Sequence, residues 1–254
     1  MPGPVIVEQA DGMQLITINR PAVRNAIDRA TAEAIAAAVD QLDASRDITV
    51  GVITGEGRSF CAGMDLKAFL AGERPTVPGR GFAGLVERPP AKPLIAAVEG
   101  HAVAGGFEIV LACDLVVASE TAVFGLPEVR RGLVAAGGGL LRLPERIPYQ
   151  LAVEWALTGK SVSAREAHAV GLVNRLVPPG DAVRAARELG AEIAANAPLA
   201  VLASKQILAR GRHWAPGDAF DRTRLISEPV RCSADAAEGA RAFGERRAPV
   251  WTAR

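Results

Sequence analysis

A single carboxylate, Glu108, stands in the long apolar stretch HAVAGGFEIVLACDLVVA, which begins at His101. Its neighbours at helical spacing are small or apolar, so a helix formed here would bury the carboxylate. A buried carboxylate without a partner costs several kcal/mol unless its pKa shifts or another group satisfies it. The position of Glu108 therefore requires a compensating partner or a chemical role.

Two glycine-containing turns also attract attention, SFCAGMDL at Ser59 and EGHAVAGGFE at Glu99. Each follows an apolar segment typical of a buried strand, and each precedes a predicted helix. Such turns can expose backbone N–H groups, and two N–H groups aimed at one point form an oxyanion hole, with positive potential added by the helix N-terminus. Two ordinary glycine turns would have the same composition, so the pattern alone leaves both interpretations open.

Other catalytic motifs are incomplete. TGKS at Thr158 lacks the upstream glycine of a phosphate loop, because Glu154 occupies that position. GEGRSF at Gly55 lacks the third glycine of a dinucleotide fingerprint. No zinc-protease, paired-cysteine or serine-elbow motif occurs. Metal catalysis and serine-type nucleophilic catalysis are thus poorly supported, since the histidines are isolated at His101, His168 and His213.

Composition describes an ordinary globular protein: 254 residues, 49% hydrophobic and 22% charged, with a formal charge of +1. No basic stripe with interleaved aromatics predicts nucleic-acid binding, and no apolar run approaches the length of a membrane span. The first twenty residues lack the pattern of a secretory signal. Three scattered cysteines argue against a disulfide framework. We therefore expect a cytoplasmic protein that binds neither nucleic acid nor membrane.

The elements that must carry these groups alternate between strand and helix, which is the α/β signature. The pattern predicts an N-terminal hairpin, a helix capped by Asp28, and then repeated strand–helix units. One continuous strand is predicted for LVVASETAVFG. From Tyr149 onward the segments are helical, and Ser163 to Glu166 reads as a capping box. The breaks at Pro178–Pro179 and Ala197–Pro198 are the candidate boundaries between a core and a helical tail, and the second gives units 1–197 and 198–254.

Several segments together resemble the crotonase, or enoyl-CoA hydratase/isomerase, superfamily, and enoyl-CoA hydratase in particular. In chain order they are NRPAVRNAID, SFCAGMDL, GHAVAGGFEIVLACD, FGLPEVRRGLV, ALTGKSVSAREAHAVGLVNRLV and ERRAPVW. The resemblance spans essentially the whole chain. It implies a spiral of ββα repeats with a C-terminal helical region that forms homotrimers, often paired into hexamers, and closes the site. It implies an acyl-CoA substrate and no separate cofactor, since coenzyme A is part of the substrate.

The resemblance also assigns roles to matching residues. The oxyanion donors would be the backbone N–H groups of Met64 and Gly105. The substrate and CoA contacts would come from Val23, Arg24, Ala62, Asp65, Leu66 and Lys67. For three of these residues an ordinary alternative exists: Asp65 also fits a helix N-cap, while Arg24 and Lys67 also fit plain surface charges.

Glu108 and Glu128 match the two glutamates of family members that hydrate enoyl thioesters. Hydration requires one group to take a proton from the attacking water and another to protonate the α-carbon. Two carboxylates that hold one water between them can do both, provided that their protonation differs. The interpretation gives Glu108 the water and Glu128 the α-proton.

Some positions depart from the family pattern. Ala104 stands where many hydratases carry glycine, Phe107 replaces a small residue, and Ala135 and Ala136 replace a proline and a glycine beside the expected water. Acyl chain length is not encoded in any motif. Residues of the variable segment after the first turn are expected to shape the acyl pocket: Phe69, Leu70, Phe82 and Leu85.

Three functions remain open on the sequence. The first is an enoyl-CoA hydratase, a hydro-lyase. The second is another reaction through a thioester enolate, such as isomerisation, thioester hydrolysis or decarboxylation. The third is a CoA-binding protein without turnover. The presence of both glutamates favours hydration, because an isomerase generally needs only one well-placed base and a scaffold has no need for a buried one.

Overall fold

The computed structural model describes residues 3–254, so the predicted unit 1–197 begins two residues before the described part. Strands and helices alternate through the first two thirds of the chain. The strands are β1 Val5–Ala10, β2 Met13–Ile18, β3 Val50–Gly55, β4 Thr76–Val77, β5 Gly81–Phe82, β6 Leu94–Val98, β7 His101–Val103, β8 Leu115–Ser119, β9 Val123–Gly125, β10 Val162–Ser163 and β11 Arg175–Val177. The helices are α1 Arg29–Ala44, α2 Leu66–Leu70, α3 Gly105–Ala112, α4 Gly139–Arg146, α5 Tyr149–Thr158, α6 Ala164–Ala169, α7 Ala182–Ala194, α8 Pro198–Gly211, α9 Ala219–Arg231 and α10 Ala234–Glu245.

The main sheet has six strands in the order β1-β2-β3-β6-β8-β11. β1 and β2 form the predicted antiparallel hairpin, with Val5 opposite Ile18 and Ala10 opposite Met13. The other neighbours pair in parallel. Parallel strands require crossover connections, and helices supply most of them, as expected for an α/β fold.

Helix starts follow the local signals in the sequence. The Asp28 side chain accepts a hydrogen bond from the Thr31 N–H (2.8 Å), which caps α1 as predicted. Ser163 caps α6 by accepting from the Glu166 N–H (3.2 Å). The Glu166 carboxylate bonds Lys160 instead of completing a reciprocal capping box (3.0 Å).

The sheet is covered on both faces. On one face lies a large core of α1 and α3 side chains, including Ile35, Leu42 and Phe107. On the other face α7 packs against β3, β6 and β8, with Ala182, Ala185 and Ala186 among the buried contacts. β3 and β6 are buried along their whole length, which explains their almost uniformly apolar sequences.

The prediction of one strand for LVVASETAVFG is wrong. The chain turns at Glu120–Ala122, so β8 lies in the main sheet and β9 lies in a second sheet of order β10-β9-β7. The Ser119 hydroxyl lies 2.9 Å from the Thr121 hydroxyl and accepts from the Thr121 N–H, which stabilises the turn. The break coincides with three polar residues, Ser119, Glu120 and Thr121, which separate the two apolar segments and are the sequence signal that the single-strand prediction overlooked.

The region from Tyr149 onward is mostly helical as predicted, with α5 to α10, and α8 begins at Pro198. It also contributes two short strands that the prediction missed, β10 to the second sheet and β11 to the edge of the main sheet. Two of its helices, α8 and α9, contain no buried residue. Within residues 3–254, no helix joins the length to the apolar character that a membrane crossing would need.

Candidate active site

The two glycine turns lie side by side. The Cys61 N–H donates to the His101 carbonyl (3.0 Å), and the Val103 N–H donates to the Cys61 carbonyl (3.1 Å). This parallel bridge sets the SFCAGMDL turn directly against the turn that leads into α3. Gly106 permits the approach, because a Cβ there would lie 2.1 Å from the Cys61 carbonyl oxygen.

The backbone between the turns is tightly packed and strained at one point. Gly63 has φ +91°, and an added Cβ would lie 3.0 Å from the amide nitrogen of Gly105. Ala104, at φ 52° and ψ −130°, caps α3 in a conformation that residues with a Cβ rarely adopt. The substitution noted in the sequence therefore stores strain in the residue that precedes Gly105.

Two backbone N–H groups remain available at this junction. Within residues 3–254, neither the Met64 N–H nor the Gly105 N–H donates a hydrogen bond to another protein atom. Gly105 is the first residue of α3, so its N–H also lies at the positive end of the helix. Both residues line one cavity. These are the features required of an oxyanion hole.

The cavity has a volume of about 300 Å³. Its wall combines apolar side chains with three glutamates and one arginine. The lining residues are Ala62, Met64, Leu66, Thr76, Phe82, Glu87, Ala104, Gly105, Glu108, Pro127, Glu128, Arg131, Leu133, Val134, Ala136 and Gly137. Glu108 and Glu128 thus face the same space as the two free amides, although they come from different elements.

Glu108 lies in the first turn of α3 and is only 4% exposed. Its Oε1 accepts a hydrogen bond from the Gly139 N–H at the start of α4 (3.0 Å). Burial raises the pKa of Glu108, whereas hydrogen bonds from the Gly139 and Gly137 amides and the charge of Arg142 oppose that rise. This is the partner that the sequence required.

Glu128 follows Pro127 in a short 3-10 turn, Pro127–Arg131. Within residues 3–254 its Oε2 atom is buried and has no hydrogen-bond partner. Burial raises the pKa of Glu128 to about 7, and the negative charge of Glu108 adds to this shift. Its own backbone N–H and Arg131 act in the opposite direction. Glu128 is therefore a carboxyl group that can hold a proton near neutral pH.

The early loop lies beside the first turn. Arg24 accepts a hydrogen bond through its carbonyl from the Ala62 N–H (3.0 Å), and Val23 is 40% exposed next to it. Asn25 fixes the loop, because its side-chain amide donates to the carbonyls of Glu56 (2.9 Å) and Ser59 (2.6 Å). Val23 and Arg24 lie outside the cavity wall, beside the turn that contains Ala62.

Of the predicted ligand-binding residues 64–67, two line the cavity and two do not. Met64 and Leu66 line the cavity. Asp65 caps α2 by accepting from the Lys67 N–H (3.0 Å) and pairs with Arg20 (3.0 Å). Burial raises the pKa of Asp65, but hydrogen bonds from the Ala68 amide and Arg20 outweigh it and leave the pKa below its ordinary value. The Lys67 side chain is exposed.

The four residues expected to shape the acyl pocket have different environments. Phe82 lines the cavity, with its ring against Gly105. Leu85 is fully buried in the main core, and Leu70 is 84% exposed. Phe69 lies outside the wall and stacks with the Arg74 guanidinium, 4.5 Å from the ring centroid. Only Phe82 of these four lines the cavity.

Sequence reasoning missed part of the wall. Glu87 and Thr76 belong to the variable segment, which carried no recognisable pattern. Gly137 and Gly139 hold the Glu108 carboxylate, and the sequence signal for them was the run of three glycines at residues 137–139. A Cβ at Gly137 would lie 2.5 Å from Glu108 Oε2, so this run leaves the space in which the carboxylate lies.

Comparison with known proteins gives consistent matches. The family described as enoyl-CoA hydratase/isomerase matches residues 8–254. Enoyl-CoA hydratase EchA19 of Mycobacterium tuberculosis is 42% identical over 255 residues, spanning 96% of this chain and 94% of the relative. Carnitinyl-CoA dehydratase of Salmonella typhi is 43% identical over 249 residues, spanning 94% of each.

Solved structures agree in fold. A crystal structure of enoyl-CoA hydratase from Mycobacterium tuberculosis H37Rv superimposes with a TM-score of 0.98 at 55% identity, over the full length of both chains. A crystal structure of carnitinyl-CoA hydratase from Mycobacterium avium gives a TM-score of 0.80 at 44% identity, also over the full length of both.

Proposed function

The chain belongs to the enoyl-CoA hydratase/isomerase family, and from that membership and the geometry of its cavity we propose that it is an enoyl-CoA hydratase. It adds water across a 2-enoyl-CoA thioester to give a 3-hydroxyacyl-CoA. Relatives named as hydratases and as a dehydratase fit one reaction, because hydration and dehydration are its two directions. The acyl-CoA is the substrate, and the reaction needs no further cofactor.

One observation carries this proposal: two carboxyl groups of different character face the same cavity as two free backbone amides. Isomerisation, hydrolysis and decarboxylation can each proceed with fewer than two acid–base groups. Hydration does, because the β-carbon receives hydroxide while the α-carbon receives a proton. A CoA-binding protein without turnover gives no reason to bury Glu108 and a partnerless Glu128 oxygen together.

In the proposed mechanism the thioester oxygen lies between the N–H groups of Met64 and Gly105. These donors stabilise the enolate that forms when water attacks; one such donor is typically worth about 3 kcal/mol. Glu108, held by the Gly139 N–H, takes the proton of the attacking water. Glu128 enters with a proton and delivers it to the α-carbon. The pair begins and ends with one proton, which has moved from Glu128 to Glu108.

The resemblance further suggests a spiral of ββα repeats with a C-terminal region, 198–254, that mediates oligomers. The exposed apolar side chains of this region support self-association, and the resemblance specifies a homotrimer or a dimer of trimers. Among them are Leu208 (77% exposed), Leu225 (76%) and Phe243 (88%). A monomer rarely presents so many large apolar groups to water. Light scattering on the purified protein should give three or six times the chain mass of 26.5 kDa.

The proposal is tested by following the absorbance of the conjugated thioester of short-chain and medium-chain 2-enoyl-CoA with the purified protein. Hydration removes the conjugation, so the absorbance falls and 3-hydroxyacyl-CoA accumulates. Constant absorbance with every chain length would reject the hydratase assignment. The same samples, checked for free CoA, carbon dioxide and shifted double bonds, identify the alternative reactions.

A further inference from the structure

The turn into α4 consists of three consecutive glycines, and two charged side chains pack against it. A Cβ added at Gly137 would lie 2.5 Å from Glu108 Oε2, and one added at Gly139 would lie 3.1 Å from Glu108 Cγ. A Cβ added at Gly138 would instead overlap Nη1 of Arg142. The first and third glycines therefore make room for the carboxylate, and the second makes room for the guanidinium.

Arg142 lies in the first turn of α4 and is partly buried. Its backbone N–H donates to the Gly138 carbonyl (3.0 Å). Its guanidinium donates to the carbonyl of Val86, a buried residue in the segment that follows the β4–β5 hairpin. That segment also supplies Phe82 and Glu87 to the cavity wall. The side chain of Arg142 therefore joins the glycine turn to another part of the wall.

The turn that Arg142 joins in this way is the one that holds Glu108. The Gly139 N–H donates to Glu108 Oε1 (3.0 Å), and hydrogen bonds from the Gly139 and Gly137 amides lower the pKa of the carboxyl group against the effect of burial. A backbone N–H makes a strong hydrogen bond only while it points at its acceptor. A guanidinium that fixes the turn therefore also fixes the donors to Glu108.

The charge of Arg142 is not neutralised by a neighbouring carboxylate. Glu145 pairs with Arg212, just after α8 (3.0 Å), and also faces His213 (3.8 Å). The Cys113 thiol is uncharged, because burial raises its pKa to about 12. Burial lowers the pKa of Arg142, but a guanidinium stays protonated inside proteins. Its positive charge is therefore available to act on Glu108.

The charges around Glu108 oppose one another. On one side is Glu128, whose pKa is raised by the negative charge of Glu108 and lowered by the charge of Arg131. On the other is Arg142, and within residues 3–254 it supplies the positive charge that lowers the pKa of Glu108. Arg142 therefore favours the ionised form of Glu108 next to a second carboxyl group.

We propose that Arg142 is a positioning residue for the general base: its guanidinium braces the glycine turn that holds Glu108, and its charge keeps this carboxyl group ionised. This inference rests on the proposed function, since it assumes that Glu108 takes the proton of the attacking water. Arg142 lies outside the cavity wall, so it acts through Glu108 rather than on the substrate. Without Arg142, the pKa of Glu108 should rise, and acid should inactivate the protein at higher pH.

The chain offers a matched control for this residue. Arg146 lies one turn later in the same helix, is also partly buried and also donates to a backbone carbonyl, that of Cys113. Its charge interacts with Cys113 and Asp114 and not with Glu108. Arg146→Gln therefore reproduces the loss of a partly buried arginine from α4 without removing a charge that acts on the general base.

The first test is the pH profile of hydration by the full-length protein and its variants. We expect Arg142→Gln to lower kcat about tenfold with KM unchanged, and to move the acidic limb of kcat/KM, where Glu108 becomes protonated, to higher pH. Arg142→Lys keeps the charge but not the planar donor group, so it should lower kcat less and leave the acidic limb in place. Arg146→Gln should leave both kcat and the limb unchanged. If Arg142→Gln does not fold, Arg142→Met takes its place.

The second test needs no turnover. Carboxyl ¹³C NMR of protein labelled at the glutamate Cδ follows the titration of Glu108, whose signal is identified by its loss in Glu108→Gln. The signal should titrate at higher pH in Arg142→Gln than in the unaltered protein or in Arg146→Gln. An unchanged titration in Arg142→Gln would overturn the inference, and so would an equal shift in Arg146→Gln. A shifted titration in a protein that hydrates no enoyl thioester would reject the hydratase proposal and leave the control of Glu108 by Arg142 standing.

Discussion

Glu108 and Glu128 face one cavity, but their local environments differ. Glu108 is the more buried, yet it accepts the Gly139 N–H and lies near Arg142. Glu128 is less buried, yet one of its oxygens has no hydrogen-bond partner within residues 3–254. Burial raises the pKa of both groups, but it brings the pKa of Glu128 to about 7. The amides and the arginine around Glu108 oppose the effect of burial on its pKa, whereas the negative charge of Glu108 adds to that effect at Glu128.

This difference supports the division of labour in the proposed mechanism. Glu108, whose anionic form accepts hydrogen bonds from backbone amides, is suited to accept a proton from water. Glu128, whose pKa is raised to about 7, is suited to donate one. Close carboxylates titrate as a pair, so the active form is the pair with one proton. The following predictions test this contrast.

The largest effect is expected from Glu108→Gln and from Glu128→Gln, made separately. Each removes one acid–base group without changing side-chain size, so kcat for hydration should fall by roughly 10²–10⁴-fold. The affinity for a saturated acyl-CoA should hardly change, since neither group is needed to hold the thioester oxygen. Steady-state kinetics and calorimetry measure the two quantities. A variant that retains full kcat would remove its glutamate from the chemistry.

A smaller effect should follow from Gly137→Ala. The new Cβ would lie 2.5 Å from Glu108 Oε2 and must displace the carboxylate from its place beside Gly139. Because the end of a side chain moves more easily than backbone, we expect kcat to fall about tenfold or more while Tm changes little. Gly244→Ala is the control, as its Cβ would contact nothing within 4 Å. A large drop in Tm for Gly137→Ala would show instead that the backbone moves.

The pH dependence of hydration should report the raised pKa of Glu128. Above the pKa of Glu128, about 7, the pair loses its single proton, and kcat/KM should fall by about tenfold per pH unit. The fall should be equal for hydration and dehydration, because the overall reaction consumes no proton.

Arg131→Gln should sharpen this result. The Arg131 charge favours the Glu128 anion, so its removal raises the pKa of Glu128 and should move the falling limb to higher pH. Arg46→Gln, which alters an exposed arginine after α1, should leave the profile unchanged. A limb that stays in place in Arg131→Gln would indicate that another group controls it.

The smallest effect concerns the backbone that carries Glu108. Ala104→Gly should relieve the strain of φ 52° and stabilise the protein by about 1 kcal/mol, less the extra entropy of glycine in the unfolded chain. Denaturant unfolding measures this change. Ala37→Gly, in the exposed middle of α1, is the opposite control and should cost about 1 kcal/mol. A loss of stability in Ala104→Gly would show that Ala104 is not strained.

The sequence by itself determined the local features of this protein. The hairpin, the caps at Asp28 and Ser163, the buried strands and the apolar setting of Glu108 all depend on residues within a few positions of one another. Such signals are legible because helix and strand periodicity and capping act over short distances. The unusual residue at 104 was also visible, though its strained backbone was not.

Only the tertiary structure decided what lines the cavity. The Gly139 amide reaches Glu108 across 31 residues, and Glu87 arrives from a segment without any pattern. Which groups meet, and whether a carboxyl group finds a donor or none, depends on packing between distant elements. Contacts between distant elements produce no local or periodic pattern in the amino-acid sequence.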